Sequence, residues 1–395
     1  MSTIEQLLEL DLVELFFHLA IIVFVVKVAG HFSVKLGQPA VLGKLIAGFI
    51  IGPALLNVVE YSSIIAAFSQ IGVLMLMFLA GLETDLKELN RNLKPSIAVA
   101  VGGIVAPLLG GYFLGLAFGL SSSHSLFLGT LLAATSVSIS VQTFRELGQM
   151  QHKTSVTILG AAIVDDILVV ITLAIMMATL VSTDISVTEI ILKKVIYFAV
   201  IFFYCWKVVP LISRLLAQLK VTEPVMSTAI IHCFLFAAFS ESLGVAGIIG
   251  AFAAGIALAQ TEFKHEAEKK LEPIAYTIFV PVFFASIGLQ IQLTGIMENI
   301  WFIIAFSLLA IVTKLFGCAI AAKMTGFSTN HSLIVGAGMV SRGEVALIIA
   351  SIGLTSGLLS IQYFTATVII ILITTMVTPP LLKFLFGREQ VREKA

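Results

Sequence analysis

The sequence predicts an all-α integral membrane protein with about thirteen transmembrane helices. Of its 395 residues, 59% are hydrophobic and 12% are charged, whereas a soluble domain has about 25% charged residues. Hydrophobic runs recur from near Leu12 to Leu385 and leave no room for a soluble domain of ordinary size. The net charge is zero, so we expect a lipid bilayer around the chain and no nucleic-acid partner.

A helix needs about 20 residues to cross the hydrocarbon core of a bilayer, and charged and turn-forming residues divide the chain into segments of that order. The second segment is the least regular, because it contains Gly43, Lys44, Gly48, Gly52 and Pro53. In a later segment, Gly111, Gly115 and Gly119 form a stripe that is typical of close helix packing. The predicted helices span residues 12–31, 39–57, 63–82, 95–119, 125–145, 154–182, 189–218, 224–243, 245–261, 272–291, 297–323, 331–355 and 361–385.

Lys and Arg residues are distributed unequally between the two sides of this arrangement. Sixteen follow odd-numbered helices or lie near the C-terminus, whereas the opposite side holds only Lys193 and Lys194. Because cytoplasmic loops carry the excess of Lys and Arg, we expect a cell (inner) membrane protein with its N-terminus outside and its C-terminus in the cytoplasm. The sixteen are Lys35, Lys87, Arg91, Lys94, Arg145, Lys153, Arg214, Lys220, Lys264, Lys269, Lys270, Lys323, Lys383, Arg388, Arg392 and Lys394.

Two adjacent carboxylates, Asp165 and Asp166, interrupt the otherwise apolar or small stretch from Thr157 to Ser182. One ionised carboxylate at mid-membrane depth costs roughly 2.5–3.5 kcal/mol on insertion scales, and such residues mark ion pathways and proton relays. Neighbouring residues on a helix point about 100° apart, so we expect the two carboxylates to have different roles.

Lys314 and Arg342 also lie inside predicted helices. A lone buried lysine would lose its proton, and two buried carboxylates without a partner would share one. An ion pair between Lys314 and one of the two aspartates would let both groups stay charged, and the second aspartate would remain for a cation.

Two predicted helices look interrupted, because Gly and Ser weaken a helix locally. Each alone could be a bent helix whose hydroxyls bond its own carbonyls, but the pair favours broken helices that line an ion site. A broken helix precedes the charged helix in the first half of the chain and follows it in the second half, the order typical of inverted repeats in transporters. The interrupting residues are Thr135, Ser136, Ser138 and Ser140 in the fifth helix and Gly336, Gly338, Ser341, Arg342, Gly343 and Glu344 in the twelfth.

Motifs for enzymatic chemistry do not occur in the sequence. It contains no HExxH motif, nucleophile elbow, phosphate-binding loop or His/Cys cluster, and Cys205, Cys233 and Cys318 all lie in apolar runs. We therefore expect a protein that is not an enzyme and that binds no cofactor.

Taken in order, these motifs resemble the cation/proton antiporter superfamily, specifically its second branch of NapA-type and Kef-type transporters. The resemblance spans essentially the whole chain. It rests on Val164-Asp165-Asp166-Ile167-Leu168, the break at Thr135, Ser136 and Ser138, Lys314, Ser341-Arg342-Gly343-Glu344, Phe78 to Asp85, and Pro281 to Leu289.

The resemblance implies a homodimer with two discontinuous crossed helices and a core that moves like an elevator. It places the dimerisation domain at residues 1–90 and 224–291, the core at 91–182 and 297–386, a linker helix at 189–218 and a cytoplasmic tail at 387–395. It also implies that Asp166 binds the ion and that Asp165 pairs with Lys314. Thr135 would be a polar group near the transported cation, and Ser136, Ser138, Arg342 and Glu344 would support the unwound region.

From this resemblance we expect a secondary active antiporter that exchanges Na⁺, with Li⁺ or K⁺ as alternatives, for H⁺. The Asp-Asp pair resembles the electrogenic members, since electroneutral relatives have Asn-Asp there. The alternatives are a K⁺-selective K⁺/H⁺ antiporter, a cation channel without counter-ion coupling, and a receptor or scaffold that transports nothing.

Overall fold

A computed structural model describes residues 3–180, 187–291 and 297–393, and within these ranges every regular element is helical. The predicted end of the sixth helix at residue 182 and the last two residues of the predicted tail lie outside the described ranges. Short π-helical turns at Tyr204–Val208 and Ala275–Phe279 and a 3-10 turn at Met297–Asn299 connect helices. The α-helices are α1 (Thr3–Lys35), α2 (Ala40–Ile51), α3 (Ser63–Glu83), α4 (Leu86–Arg91), α5 (Leu93–Ala117), α6 (Ser122–Ala133), α7 (Val137–Glu146), α8 (Lys153–Leu180), α9 (Val187–Phe203), α10 (Val209–Ala217), α11 (Pro224–Ser242), α12 (Gly247–Ala259), α13 (Lys264–Ile274), α14 (Val280–Leu289), α15 (Ile300–Met324), α16 (Thr329–Gly338), α17 (Glu344–Thr355) and α18 (Ile361–Glu393).

Ten stretches among the described residues are helical, apolar and long enough to cross a membrane. Three further apolar helices are shorter, namely α2, α12 and the part of α17 from Val345 to Leu354. The chain is therefore a multi-pass helical membrane protein, as its composition predicts.

Several helix ends differ from the prediction: α1 begins at Thr3 and α13 at Lys264, where residues 12 and 272 were predicted, and the second and last helices end elsewhere. The second helix was expected to reach residue 57, but α2 ends at Ile51, because Gly52 and Pro53 follow and the chain turns through Asn57 at a φ of 48°. The last helix was expected to end at residue 385, but α18 continues to Glu393. Its apolar pattern stops at Phe386, yet after Gly387 most residues up to Glu393 are good helix formers, so leaving the apolar region does not end the helix. Residues 387–393 of the predicted tail are thus helical and continue α18.

The two predicted interruptions are present and lie against each other. The first separates α6 from α7 between Ala133 and Val137, and the second separates α16 from α17 between Gly338 and Glu344. The Ser136 amide donates to the Ser341 carbonyl at 2.8 Å, and the Ser341 hydroxyl donates to the Ser136 carbonyl at 2.5 Å. Each break therefore provides a hydrogen-bond partner for a backbone group of the other.

Small residues bring α5 close to its neighbour α6. A side chain at Gly111 would meet the Gly129 backbone at 2.5 Å, and one at Gly115 would meet Ser125 at 2.6 Å. The sequence predicts that Gly119 continues this stripe. In the structure it follows the end of α5 with a φ of +79°, and a side chain added there would meet no other described atom within 4 Å. Its role is to let the chain turn, which glycine does without strain.

Candidate ion-binding site

A buried ion pair joins α8 to α15 in the middle of the molecule. Lys314 Nζ lies 2.9 Å from Asp165 Oδ1, and both side chains are completely buried. The same ammonium group donates to the Ala133 carbonyl, at the end of α6, at 2.5 Å. The pairing of Lys314 with one of the two aspartates, expected from the sequence, is thus observed with Asp165.

Arg342 lies in the break between α16 and α17 and is also completely buried. Its guanidinium donates to the Leu132 carbonyl at 2.6 and 3.1 Å, to the Ala310 carbonyl at 3.0 Å, and to the Val340 carbonyl. Leu132 and Ala133 are the last residues of α6, whose final carbonyls have no partner within the helix. Arg342 and Lys314 therefore place two cations where the dipole of α6 is negative.

Three buried side-chain oxygen atoms on α8 and around the first break have no hydrogen-bond partner in the part of the chain that the structure describes. They are Asp165 Oδ2, Ser138 Oγ and Thr135 Oγ1, and the Thr135 hydroxyl faces Asp165. Buried polar atoms are normally hydrogen-bonded, and hard cations prefer oxygen ligands. Thr135 and Asp165 therefore offer oxygen atoms of the kind that a small cation binds.

The other predicted supporting residues have different surroundings. Ser136 contacts the opposite break through its backbone, as described above, and Ser140 donates its hydroxyl to the Gly338 carbonyl at 2.6 Å. Glu344 begins α17, and its side chain lies outside the described part of the chain.

Asp166 lines a cavity of about 350 Å³, and Asp165 is not among the lining residues. Gln70 and Glu241 contribute polar groups to its wall, and the remaining wall is mostly apolar and includes Val345 and Ile352. The two adjacent aspartates therefore differ, as helix geometry predicts: one is enclosed with Lys314, and the other faces a space that can hold water and ions.

A second and much smaller space next to Asp166 is lined mainly by apolar side chains. Met77, Val137, Leu159 and Phe252 surround this space of only about 10 Å³. A water molecule needs roughly 10–15 Å³, so this space holds one water molecule at most.

Two groups of ion pairs near the C-terminal end of α7 connect this helix to other helices. Arg145 pairs with Glu83 of α3 at 2.8 Å and with Glu272 of α13 at 2.7 Å. Glu146 pairs with Lys44 of α2 at 3.2 Å and accepts the Val41 amide at 3.1 Å. These pairs were not predicted, although a lysine inside an apolar segment and a charged pair at a helix end both indicate partners elsewhere.

Comparison with known proteins now identifies the family. Residues 20–387 match the family described as "Sodium/hydrogen exchanger, transmembrane". The chain belongs to this family.

Relatives cover nearly the whole exchanger chain. The Na⁺/H⁺-K⁺ antiporter GerN of Bacillus cereus is 58% identical over 97% of this chain and 99% of its own length. The Na⁺/H⁺ antiporter of Enterococcus hirae is 40% identical over 93% of this chain and 96% of its own. The structure of the sodium proton antiporter MjNhaP1 of Methanocaldococcus jannaschii is similar with a TM-score of 0.63 at 16% identity, over 95% of this chain and 97% of that one. This likeness supports the fold.

Removing one partner of the Lys314–Asp165 pair should destabilise the exchanger more than removing both. Lys314→Gln or Asp165→Asn leaves one buried charge unpaired, which costs about 3–5 kcal/mol, whereas the double variant leaves none. We expect both single variants to denature at lower temperature than wild type in detergent, and the double variant to recover part of the loss. The measurement is the fraction of monodisperse protein after heating.

Lys270→Gln is the matched control for that experiment. Lys270 pairs with Glu223 and Glu266 at partly exposed positions, where an ion pair contributes little to stability. A charged Lys314–Asp165 pair would be ruled out if both single variants at that pair were as stable as wild type.

Proposed function

We propose that this exchanger is a secondary active antiporter that exchanges Na⁺ for H⁺ across the cell membrane. The observation that carries the proposal is a buried carboxylate, Asp166, that lines a cavity next to the enclosed Asp165–Lys314 pair. The names of the relatives GerN and the Enterococcus hirae protein, both antiporters of Na⁺ and H⁺, agree with it.

The proposed mechanism is competition for the same carboxylates. A cation bound by Asp166, with Thr135 and Asp165 contributing oxygens, cannot be present together with the protons that would neutralise these groups. Binding of one ion therefore releases the other. Only a site that holds the cation or is protonated moves across the membrane. If the cation draws Asp165 away from Lys314, the lysine also releases its proton, two protons exchange for one cation, and net charge moves.

Alternating access is proposed to follow the elevator scheme, in a homodimer with about thirteen spans and an outside N-terminus. Residues 91–182 and 297–386 would move as the core, with the two breaks crossing at its centre, against a dimerisation domain of residues 1–90 and 224–291. Residues 189–218 would link the two domains. Glu241 and Ile352 lie towards the predicted outer ends of α11 and α17, so in the proposed orientation the cavity would open to the outside.

Exchange of K⁺ is the second candidate. GerN, at 58% identity, carries both Na⁺ and K⁺ in its name. Carboxylate and hydroxyl oxygens accept either ion, since ligand type alone does not select among hard cations. Comparing the exchange driven by Na⁺, Li⁺ and K⁺ at equal concentration, in the proteoliposome assay below, distinguishes a Na⁺ exchanger from a K⁺ exchanger.

Asp166→Asn should abolish cation-driven proton movement, because an amide neither binds a cation by charge nor carries a proton. The measurement is the decay of an imposed pH gradient in proteoliposomes after Na⁺ addition. Asp85→Asn is the control: Asp85 is an exposed residue that caps α4 through its side chain, and asparagine also caps helices. Full exchange by the Asp166→Asn protein would contradict the site.

Clamping the membrane voltage should speed exchange by wild-type protein but not by Lys314→Gln. Without the lysine proton only one proton exchanges for one cation, and no opposing potential builds up. The measurement compares initial rates with and without a potassium ionophore at equal K⁺ on both sides. The Asp165→Asn, Lys314→Gln double variant should behave like the single one and removes the unpaired charge. An active variant whose rate still depends on voltage would contradict the role of Lys314.

Weakening the ion pairs of α7 should favour the inward-open state, since they close the predicted cytoplasmic side. In a background without Cys205, Cys233 and Cys318, we introduce Leu159→Cys beside the space of about 10 Å³ and follow maleimide labelling in inverted vesicles. Lys44→Gln or Glu146→Gln should accelerate labelling several-fold. The control is Glu88→Gln, which removes an exposed pair with Arg91 within one helix. Equal labelling rates in all four proteins would remove these pairs from the proposed mechanism.

A further inference from the structure

Two histidines and a glutamate meet at the predicted cytoplasmic end of the helices that carry the ion site. His152 precedes α8, His331 lies in the first turn of α16, and Glu389 lies near the end of α18. The sequence contains no recognisable metal-binding spacing for these residues, because they come from three distant parts of the chain. No transport step described above uses them.

The geometry of this cluster suits a metal ion. One ligand atom from each residue lies within 4.8 Å of the other two. His331 Nε2 contacts Glu389 Oε1 directly, and His152 Nε2 lies 4.0 Å from the same oxygen. Ligands of a tetrahedral Zn²⁺ ion, with bonds of about 2.0–2.1 Å, are roughly 3.4 Å apart. Small side-chain rotations can therefore bring all three residues to coordination distance.

The second carboxylate oxygen of Glu389 supports the binding of a cation at this place. The side chain is 9% exposed, and its Oε2 is buried without a hydrogen-bond partner in the part of the chain that the structure describes. Buried carboxylates are normally paired or coordinate metals. The nearby Lys153 ammonium lies over the Phe327 ring at 4.6 Å from its centroid. A cation among the three residues would satisfy the carboxylate.

Thr154 fixes the orientation of the His152 ring. The Thr154 amide donates to His152 Nδ1 at 3.3 Å, and the Thr154 hydroxyl lies 2.7 Å from the same nitrogen. Hydrogen bonds of this kind hold a histidine ring in place, here with Nε2 on the side of Glu389. The ring of His152 also packs at 5.6 Å against Phe386.

We propose that His152, His331 and Glu389 bind a transition-metal ion of the Zn²⁺ class at the predicted cytoplasmic surface. Two imidazoles and one carboxylate are donors that Zn²⁺ accepts, with water in the fourth position, whereas Mg²⁺ and Ca²⁺ prefer oxygen ligands. The ion would join the ends of α8, α16 and α18 and so stabilise the half-helix that leads to the break at Met339–Gly343. The site is separate from the transported cation, and the inference does not depend on the proposed exchange.

The test is direct binding of Zn²⁺ to the full-length protein in detergent. We expect about one Zn²⁺ per chain after desalting, measured by elemental mass spectrometry, and a higher denaturation temperature with Zn²⁺ than with Mg²⁺. Binding should weaken as the pH falls below about 6, because protonated imidazoles do not bind metal. His331→Gln, His152→Gln and Glu389→Gln should each weaken binding by about tenfold or more.

His265→Gln is the matched control, since the His265 side chain is 93% exposed and lies outside the cluster. It should bind Zn²⁺ like wild type. Because three variants probe the same ion independently, one that does not fold leaves the other two to decide. The proposal is overturned if wild type retains no Zn²⁺, or if the folded cluster variants retain as much as His265→Gln; the three residues would then form only a hydrogen-bonded contact between helices.

Discussion

The buried pair of Lys314 and Asp165 depends on the broken end of α6. Removing two charges from water costs several kcal/mol for each ion, and mutual attraction offsets this only when further hydrogen bonds satisfy the remaining groups. The Ala133 carbonyl supplies one such bond to Lys314, and it is available because α6 ends there. A continuous helix would use this carbonyl itself. The break is thus a condition for burying the lysine in its charged form.

Arg342 extends the same principle to the second half of the chain. It lies in the other break, yet its guanidinium binds the carbonyls of Leu132 and Ala310. The first half of the chain thus supplies carbonyls and a carboxylate to the two cations, and Arg342 also binds the Ala310 carbonyl of its own half. These contacts connect the second break to the end of α6.

The sequence predicts more of the helices than of their contacts. Apolar length locates the helical segments, clusters of Gly and Ser locate both breaks, and the cost of lone charges predicts a partner for Lys314. The carbonyl partners of Arg342 could not be predicted, because every residue has a carbonyl and only the fold leaves certain ones unpaired. Lys44 and Glu146 lie far apart in the chain, and nothing local indicates that they meet. Hydrophobicity does not predict the end of α18, because the helix continues beyond its last apolar residues to Glu393.

The ion pairs of the structure fall into two classes that suit different tasks. The Lys314–Asp165 pair is completely buried, so breaking it without a replacement ligand is costly, and a cation arriving at Asp165 can provide that replacement. The pairs of Arg145 and Glu146 join side chains that are 16–46% exposed, so water compensates for a lost partner better than at the Lys314–Asp165 pair, and breaking one of them costs less. Contacts of this strength can open and close as a core moves against its neighbours. The costly pair therefore lies where ion exchange can relieve it, and the weak pairs lie where the proposed domains must separate.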